Sequence, residues 1–279
     1  MKGNNSILHT LFVGVCMSLG ILTSCQDMDR PEMNIIPDDL EKLNGPLQRY
    51  ITFENSAIDS IHYVKGTATN ITYVEGVSGR AYKGASNGHI EYPSAGKLAE
   101  MTSFTVAFWM NTEKHVGGAQ SIFMMPNTDD FWGNMFAIIE GNNNAADNSM
   151  LMKIFFNGQW VEFSGSGTHP ARLPDMYGKW KHVAFSYDET TSKFSMYIDG
   201  QKLNLGASNT DRKNGANPLG PLAFRNVSKF VIGAYQQHIN IKAPADAWML
   251  RYTGMLDQFR VYTTVLTDDE INTLYTAKR

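Results

Sequence analysis

The stretch Lys179–Gly200, KWKHVAFSYDETTSKFSMYIDG, narrows most sharply what this chain can fold into. Val183, Phe185 and Tyr187 alternate with His182, Ala184 and Ser186, the two-residue period of a half-buried strand. Asp188-Glu189-Thr190-Thr191-Ser192 interrupts the alternation with turn formers. Phe194, Met196 and Ile198 resume it, and Asp199-Gly200 is a tight-turn signal leading into Gln201-Lys202-Leu203.

The same grammar runs through most of the chain. Short strands are predicted at Tyr50–Phe53, Arg80–Tyr82, His89–Tyr92, Phe104–Met110, Ser121–Met125, Met135–Ile139, Met150–Phe156, Trp160–Phe163 and Lys229–Ala234. Within Phe104–Met110 one face carries Phe104, Val106, Phe108 and Met110; the other carries Thr105, Ala107 and Trp109. Asn157-Gly158 marks a second hairpin. Leu205–Leu222 and Gln236–Arg251 are polar or Gly/Pro/Asn-rich and read as irregular segments, the kind that carries function. Thr267-Asp268-Asp269-Glu270 before Ile271 and Leu274 is a capping box that starts one short helix. Many short strands with evenly spaced turns predict an all-β, two-sheet antiparallel sandwich or jelly roll.

Three stretches, in order, resemble one family. Trp180-Lys181-His182-Val183-Ala184 through Tyr187-Asp188, followed by Met196-Tyr197-Ile198-Asp199-Gly200, is similar to the central hairpin of laminin-G-like domains of the concanavalin A-like lectin/glucanase superfamily. Ser103–Trp109 resembles its early strand, and Tyr252–Tyr262 with Leu266–Ile271 its closing strand and helix. The resemblance runs from about residue 47 to the C-terminus. That superfamily includes binders, hydrolases and lyases, so it implies a fold more than an activity.

With 279 residues the chain has room for one large β domain, since sandwiches run to about 200–250 residues. Its net charge of -3 argues against a nucleic-acid surface, which needs a basic stripe. Residues 1–24 read as a signal peptide: Lys2 is followed by a mostly apolar run from Ile7 to Leu22. Leu22-Thr23-Ser24-Cys25 matches a bacterial lipobox, which makes Cys25 the lipidated residue. Acyl chains there would hold the protein to a membrane, each buried CH₂ adding about 0.8 kcal/mol. Residues 25–46 form a tether interrupted by Pro31, Pro37, Gly45 and Pro46, and residues 47–279 form the domain. Asp27 and Asp29 after the cysteine suggest display on the outer face of the outer membrane. With Cys16 in the signal and Cys25 lipidated, the domain has no disulfide, metal thiolate or cysteine nucleophile.

Pyranose rings stack on flat aromatic side chains while amides and carboxylates take their hydroxyls. The loop or strand-edge aromatics Trp132, Trp160, Trp248 and Tyr235 are therefore the candidate carbohydrate platform, with Asp130, Asn134 and Gln237 as hydroxyl partners. Trp109 and Trp180 read as core strand residues. The resemblance implies a rim calcium ion, and the matching positions are Glu54, Asn55, Asp59 and Asp257. A glycosidase needs two carboxylates across the sugar. The E-x-D-x-x-E strand of the superfamily's laminarinase-type hydrolases is absent. Tyr235-Gln236-Gln237-His238 only faintly echoes its alginate lyases. Glu140, Glu162 and His182 are weak catalytic candidates. The favoured reading is non-catalytic capture of an oligo- or polysaccharide by a surface lipoprotein. The alternatives are a glycoside hydrolase or polysaccharide lyase, and an adhesion module that binds protein.

Overall fold

The computed structural model describes residues 43–165 and 172–278. The signal segment, Cys25 and the tether as far as residue 42 lie outside the described residues. At the tether's end the Pro46 carbonyl accepts the Thr263 N–H at 2.8 Å, so the domain is already engaged one residue before position 47.

Two sheets make the sandwich. The first runs in the order β13 (Gln201–Lys202), β12 (Lys193–Ile198), β11 (Lys181–Asp188), β6 (Phe104–Asn111), β18 (Met255–Tyr262), β4 (Arg80–Lys83) and β3 (Thr72–Glu75). β1 (Leu47–Ile51) pairs the far half of β18, alongside β4. The second runs β10 (Gln159–Phe163), β9 (Leu151–Phe156), β8 (Met135–Glu140), β7 (Ala119–Met125), β16 (Phe230–Ile232), β5 (His89–Tyr92) and β2 (Thr67–Thr69). All these pairings are antiparallel except that of β17 (Met249–Arg251), which lies parallel to the start of β7. β14 (Lys213–Asn214) and β15 (Asn217–Pro218) form a small ribbon inside the long loop.

The hairpin anticipated at 179–200 is the β11–β12 pair, with Val183 opposite Ile198 and Tyr187 opposite Phe194. Both residues of its next turn, Asp199 and Gly200, have positive φ (51° and 75°), which is the type I′ geometry that follows the right-handed strand twist. Asn157 and Gly158 repeat this at the β9–β10 turn, with φ of 47° and 80°.

Alternation sorts side chains between the layers. Phe104, Val106 and Phe108 of β6, with Val183, Phe185 and Tyr187 of β11, are fully buried against Phe123, Ile154 and Phe156 of the facing sheet. Phe104 meets Phe156 edge-on at 5.1 Å, and Phe123 stacks near Phe185 at 6.3 Å. Each such side chain contributes about 1.5–3 kcal/mol on burial. The C-terminal helix, Asp268–Ala277, starts as its capping box predicts: Thr267 Oγ1 accepts the Glu270 N–H at 3.3 Å, and Glu270 Oε2 accepts the Thr267 N–H at 2.7 Å.

Three expectations need correction. Phe53 is not in a strand; it turns the chain at φ 59° and drops its ring into the core. Trp180 precedes β11 rather than belonging to it, and its side chain is half-buried. The Gln236–Arg251 segment is less irregular than its composition suggests, since a 3₁₀ turn at Gln236–Ile239 and strand β17 order both of its ends.

Candidate functional site

The outer face of the second sheet is aromatic. Phe136, Phe155 and Trp160 are cross-strand neighbours in one row over β8, β9 and β10. Phe136 stacks on Phe155 at 4.9 Å, and Trp160 meets Phe155 at 5.0 Å and Phe136 at 5.5 Å. Trp132, from the β7–β8 loop, crosses this row. Its ring lies 5.1 Å from Trp160, 6.3 Å from Phe136 and 6.1 Å from Trp248. Trp248 rests edge-on against Tyr235 at 5.7 Å. Trp132 and Trp248 keep 36% and 37% of their surface exposed, large fractions for indoles that together pack on four other rings. Thus the three loop and edge tryptophans share one surface, with two phenylalanines as its floor.

The loop carrying Trp132 is held from behind. The Trp132 N–H donates to Asp130 Oδ1 at 2.8 Å, a local Asx turn. Gln236, fully buried, donates to the carbonyls of Asp130 (2.6 Å) and Phe131 (3.2 Å) and accepts the Asn127 N–H at 2.9 Å. Gln237 donates to the Phe131 carbonyl at 2.7 Å. Asn134 donates to the carbonyls of Pro126 and Arg225, both at 2.8 Å, and accepts the Arg225 N–H at 2.9 Å. Of the proposed hydroxyl partners, only Asp130 is therefore exposed. Asn134 and Gln237 are buried and brace loops, and Tyr235 is buried with its hydroxyl donating to the Ala119 carbonyl. Burial also raises the Tyr235 phenol well above its ordinary range.

Trp160 is braced across the sheet edge. Arg212 Nη1 donates to the Trp160 carbonyl at 2.9 Å, and Asn209 Nδ2 to that of Glu162 at 3.2 Å. These side chains cap the open edge of β10 with the segment that follows Gly206.

A groove of about 410 Å³ adjoins the aromatic surface; Asp130, Phe155, Asn157, Asn214 and Arg225 are among the residues that line it. That lies within the usual range of about 300–1,000 Å³ for small-molecule sites. Arg225, Asn157, Asn214 and the floor residues Phe136 and Phe155 were not singled out from the sequence. Met150–Phe156 is apolar at nearly every position, so alternation could not reveal that Phe155 faces outward.

The acidic candidates do not line the groove. Glu140 and Glu162 both engage Lys153, at 2.7 and 3.4 Å, on the same outer face. Burial works against the Lys153 ammonium, but these two acids outweigh it and raise its pKa. Instead of facing each other across a cleft, the pair shares one cation. His182 is buried between Trp109 (5.3 Å) and Tyr275 (6.1 Å) on the opposite sheet, away from the groove. Burial, then the Arg260 charge, pushes its pKa down to about 4. A packing role fits it; a general base for this groove does not.

The calcium candidates split. Asp257, fully buried, accepts the Val77 and Ser78 N–H groups through Oδ2 at 2.8 and 3.0 Å, while Oδ1 is buried with no hydrogen-bond partner. Burial raises its carboxyl to about 6, and the nearby Glu54 charge adds to this. Glu54 accepts the Arg80 N–H at 3.0 Å on the same turn. Gly76 and Gly79 make this approach possible, because a Cβ at either would run into Asp257 or Glu54. Asn55 is exposed nearby in sequence. Asp59 instead takes the N–H groups of Tyr50 and Ile61, both at 3.1 Å. Among the described residues no three metal-binding side chains converge. Asp257 and Glu54, with one orphaned buried oxygen, are the donors a hard cation would use there, and they supply fewer than the six to eight oxygens it needs.

A family model described as the concanavalin A-like lectin/glucanases superfamily matches residues 83–272. No curated protein matches the chain. Among solved structures, domain 4 of AbnA, an extracellular GH43 arabinanase from Geobacillus stearothermophilus, was determined in complex with arabinotriose. It is similar with TM-score 0.55 and 20% identity over 82% of this chain and 98% of that one. Trypanosoma rangeli sialidase matches with TM-score 0.53 and 16% identity, over 84% of this chain and 33% of its own. The botulinum neurotoxin serotype G binding domain matches with TM-score 0.53 and 14% identity, over 82% of this chain and 50% of its own. The chain thus spans about half of the toxin domain and a third of the sialidase, and at these identities the likeness is one of fold.

Proposed function

Because the chain belongs to the concanavalin A-like lectin/glucanase superfamily, whose model covers residues 83–272, we propose that it is a carbohydrate-binding protein working from the outer face of its second sheet. The observation that carries this reading is the meeting of Trp132 with both Trp160 and Trp248, with Trp132 and Trp248 exposed, beside an amide-lined groove. Indole faces supply a stacking surface for pyranose or furanose C–H faces, and Asp130, Asn157, Asn214 and Arg225 supply donors and acceptors for hydroxyls. Arabinotriose, bound by the arabinanase domain of similar fold, is a reasonable first probe.

The protein acts without turnover in this reading, since Glu140 and Glu162 are matched to Lys153. It is held at the outer membrane surface by lipid on Cys25 and hands captured glycan to other surface proteins. A calcium ion at Glu54 and Asp257 would stabilise the rim, neutralising charge that burial makes costly there.

A glycan array with reducing-sugar and unsaturated-product assays tests the central claim. Binding without product, weakened at least tenfold by Trp132→Ala, is expected. Product formation, lost in Glu140→Gln or Glu162→Gln, would replace this reading with the enzymatic one. Protease shaving and fatty-acid labelling of Cys25→Ala test the anchor. Calorimetry with and without EDTA, backed by elemental analysis, tests the calcium ion.

A further inference from the structure

A second cleft, of about 330 Å³, lies on the other side of the sandwich and is lined by Val77, Trp109, Trp180, Asp199, Tyr275 and Lys278. Trp109 is an outward residue of β6 in the first sheet, and the C-terminal helix closes over it with Tyr275 stacked at 5.5 Å and 26°. We propose that this cleft is a second saccharide-binding site, giving the domain two glycan contacts on opposite outer faces. The proposal rests on the carbohydrate reading of the first site but uses none of its residues.

The construction of the cleft supports this. The Asp199-Gly200 turn does two things at once. Gly200 lets the helix come close, since a Cβ there would sit 3.0 Å from the Tyr275 ring. Asp199 is aimed by its own contacts: Oδ1 accepts the His182 N–H at 3.0 Å and Oδ2 accepts from the Lys181 ammonium at 2.7 Å. A carboxylate has about four lone-pair sites, so two remain for sugar hydroxyls. Lys278 adds an exposed ammonium as donor. Trp180 is the telling residue. It stands outside the strand, is half-buried, and takes part in none of the ring contacts among the described residues, although it lines a cleft that two other aromatic rings share. A half-buried indole with no ring stacked on it, beside an oriented carboxylate and an ammonium, has the composition of a sugar subsite. It would also make binding to a polymer bivalent, with the second contact favoured by effective concentration.

The test follows indole N–H signals of the mature chain by NMR during titration with arabinotriose, laminaritriose, cellotriose and trigalacturonate, using Trp→Phe variants for assignment. The expected result is that a trisaccharide moves the Trp109 and Trp180 signals as well as those of Trp132, Trp160 and Trp248, with separate dissociation constants. Trp180→Ala should weaken the first response at least tenfold and leave the second unchanged; Trp132→Ala should do the reverse. Trp180→Phe should retain most of the affinity, which a merely structural defect would not predict. If the Trp109 and Trp180 signals stay still while the other three saturate, the second site is wrong and the first stands. If no indole signal moves with any probe, both readings fall.

Discussion

The outer faces of the two sheets begin from the same pleat and end differently. On the first sheet the outward residues at the centre are small, Ala107 and Ala184, and the C-terminal helix settles onto them through Ile271, with Leu266 of the segment before it. On the second sheet β8, β9 and β10 carry Phe136, Phe155 and Trp160 outward, and only loops arrive to meet them. Small side chains leave a trough for a helix; broad rings fill the trough and present flat faces instead. Choice of side-chain volume, more than strand order, decides which face a helix covers and which presents its own rings.

The tryptophans offer the largest way to break that contrast. Trp109 is 4% exposed beneath the helix. Trp109→Ala should cost about 3–5 kcal/mol, as large-to-small changes in packed sites do. Trp132→Ala should cost less than about 1.5 kcal/mol in urea unfolding while abolishing most glycan affinity. Equal stability losses would mean that the second face is as closed as the first.

Acid probes the same contrast through two histidines, one behind each face. His182 under the helix and His238 behind Trp248 are both pushed down to about 4, chiefly by burial. The unfolded chain takes up these protons near pH 6.5, but the folded protein resists until about pH 4. Stability is therefore fully present above pH 6.5 and declines as pH falls towards 4. For His182, 1% exposed, the loss approaches about 3 kcal/mol. His182→Gln should flatten this slope in urea midpoints measured from pH 7 to 4. His238 accepts the Tyr235 N–H on Nδ1 at 3.2 Å, so its protonation should also loosen the Trp248 end and weaken glycan binding. His182→Gln should leave that binding loss in place.

Much of this architecture could be read from residue patterns. Hairpins with Asp-Gly and Asn-Gly turns, the alternation of β6 and β11, and the capping box are local signals, and the strands and helix appear within a few residues of them. The clustering of Trp132, Trp160 and Trp248 is different, because it depends on three segments far apart in the chain meeting on one face. β2, β3 and β17 carry weak alternation and owe their order to neighbouring strands. Trp180 reads in sequence as a core residue of a regular strand, yet β11 starts one residue later. The amides fared worst: Asn134 and Gln237 look like sugar ligands in a polar loop, but their hydrogen bonds go to backbone carbonyls. Composition cannot say whether an amide faces water or closes a loop.

Gln236 sharpens this point at an intermediate size. Fully buried itself, it joins the Trp132 loop to the β16–β17 connection by two donated bonds and one accepted bond. Gln236→Ala leaves the Asp130 carbonyl and the Asn127 N–H without their partner, while the Phe131 carbonyl keeps Gln237, at a cost of about 1–3 kcal/mol. Glycan affinity should fall with it, because Trp132 loses its fixed position, whereas the Trp109 indole signal should not shift. A variant with normal affinity would show that the aromatic packing alone positions Trp132.

The smallest effect falls on the closed face. Thr267→Ala removes the side-chain acceptor for the Glu270 N–H and the Thr267 hydroxyl bond to Glu270 Oε2 at 2.9 Å. Loss of an N-cap costs about 1 kcal/mol. The helix should fray from its first turn, where Asp268 accepts the Tyr197 hydroxyl at 2.7 Å, and hydrogen exchange should rise there first. Three acidic residues occupy that turn, so the remaining charge still favours the helix N-terminus and limits the damage. Affinity at the Trp132 surface should stay within twofold of wild type, since the whole core separates the two faces. A larger drop would mean that closing one face of the sandwich helps to set the shape of the other.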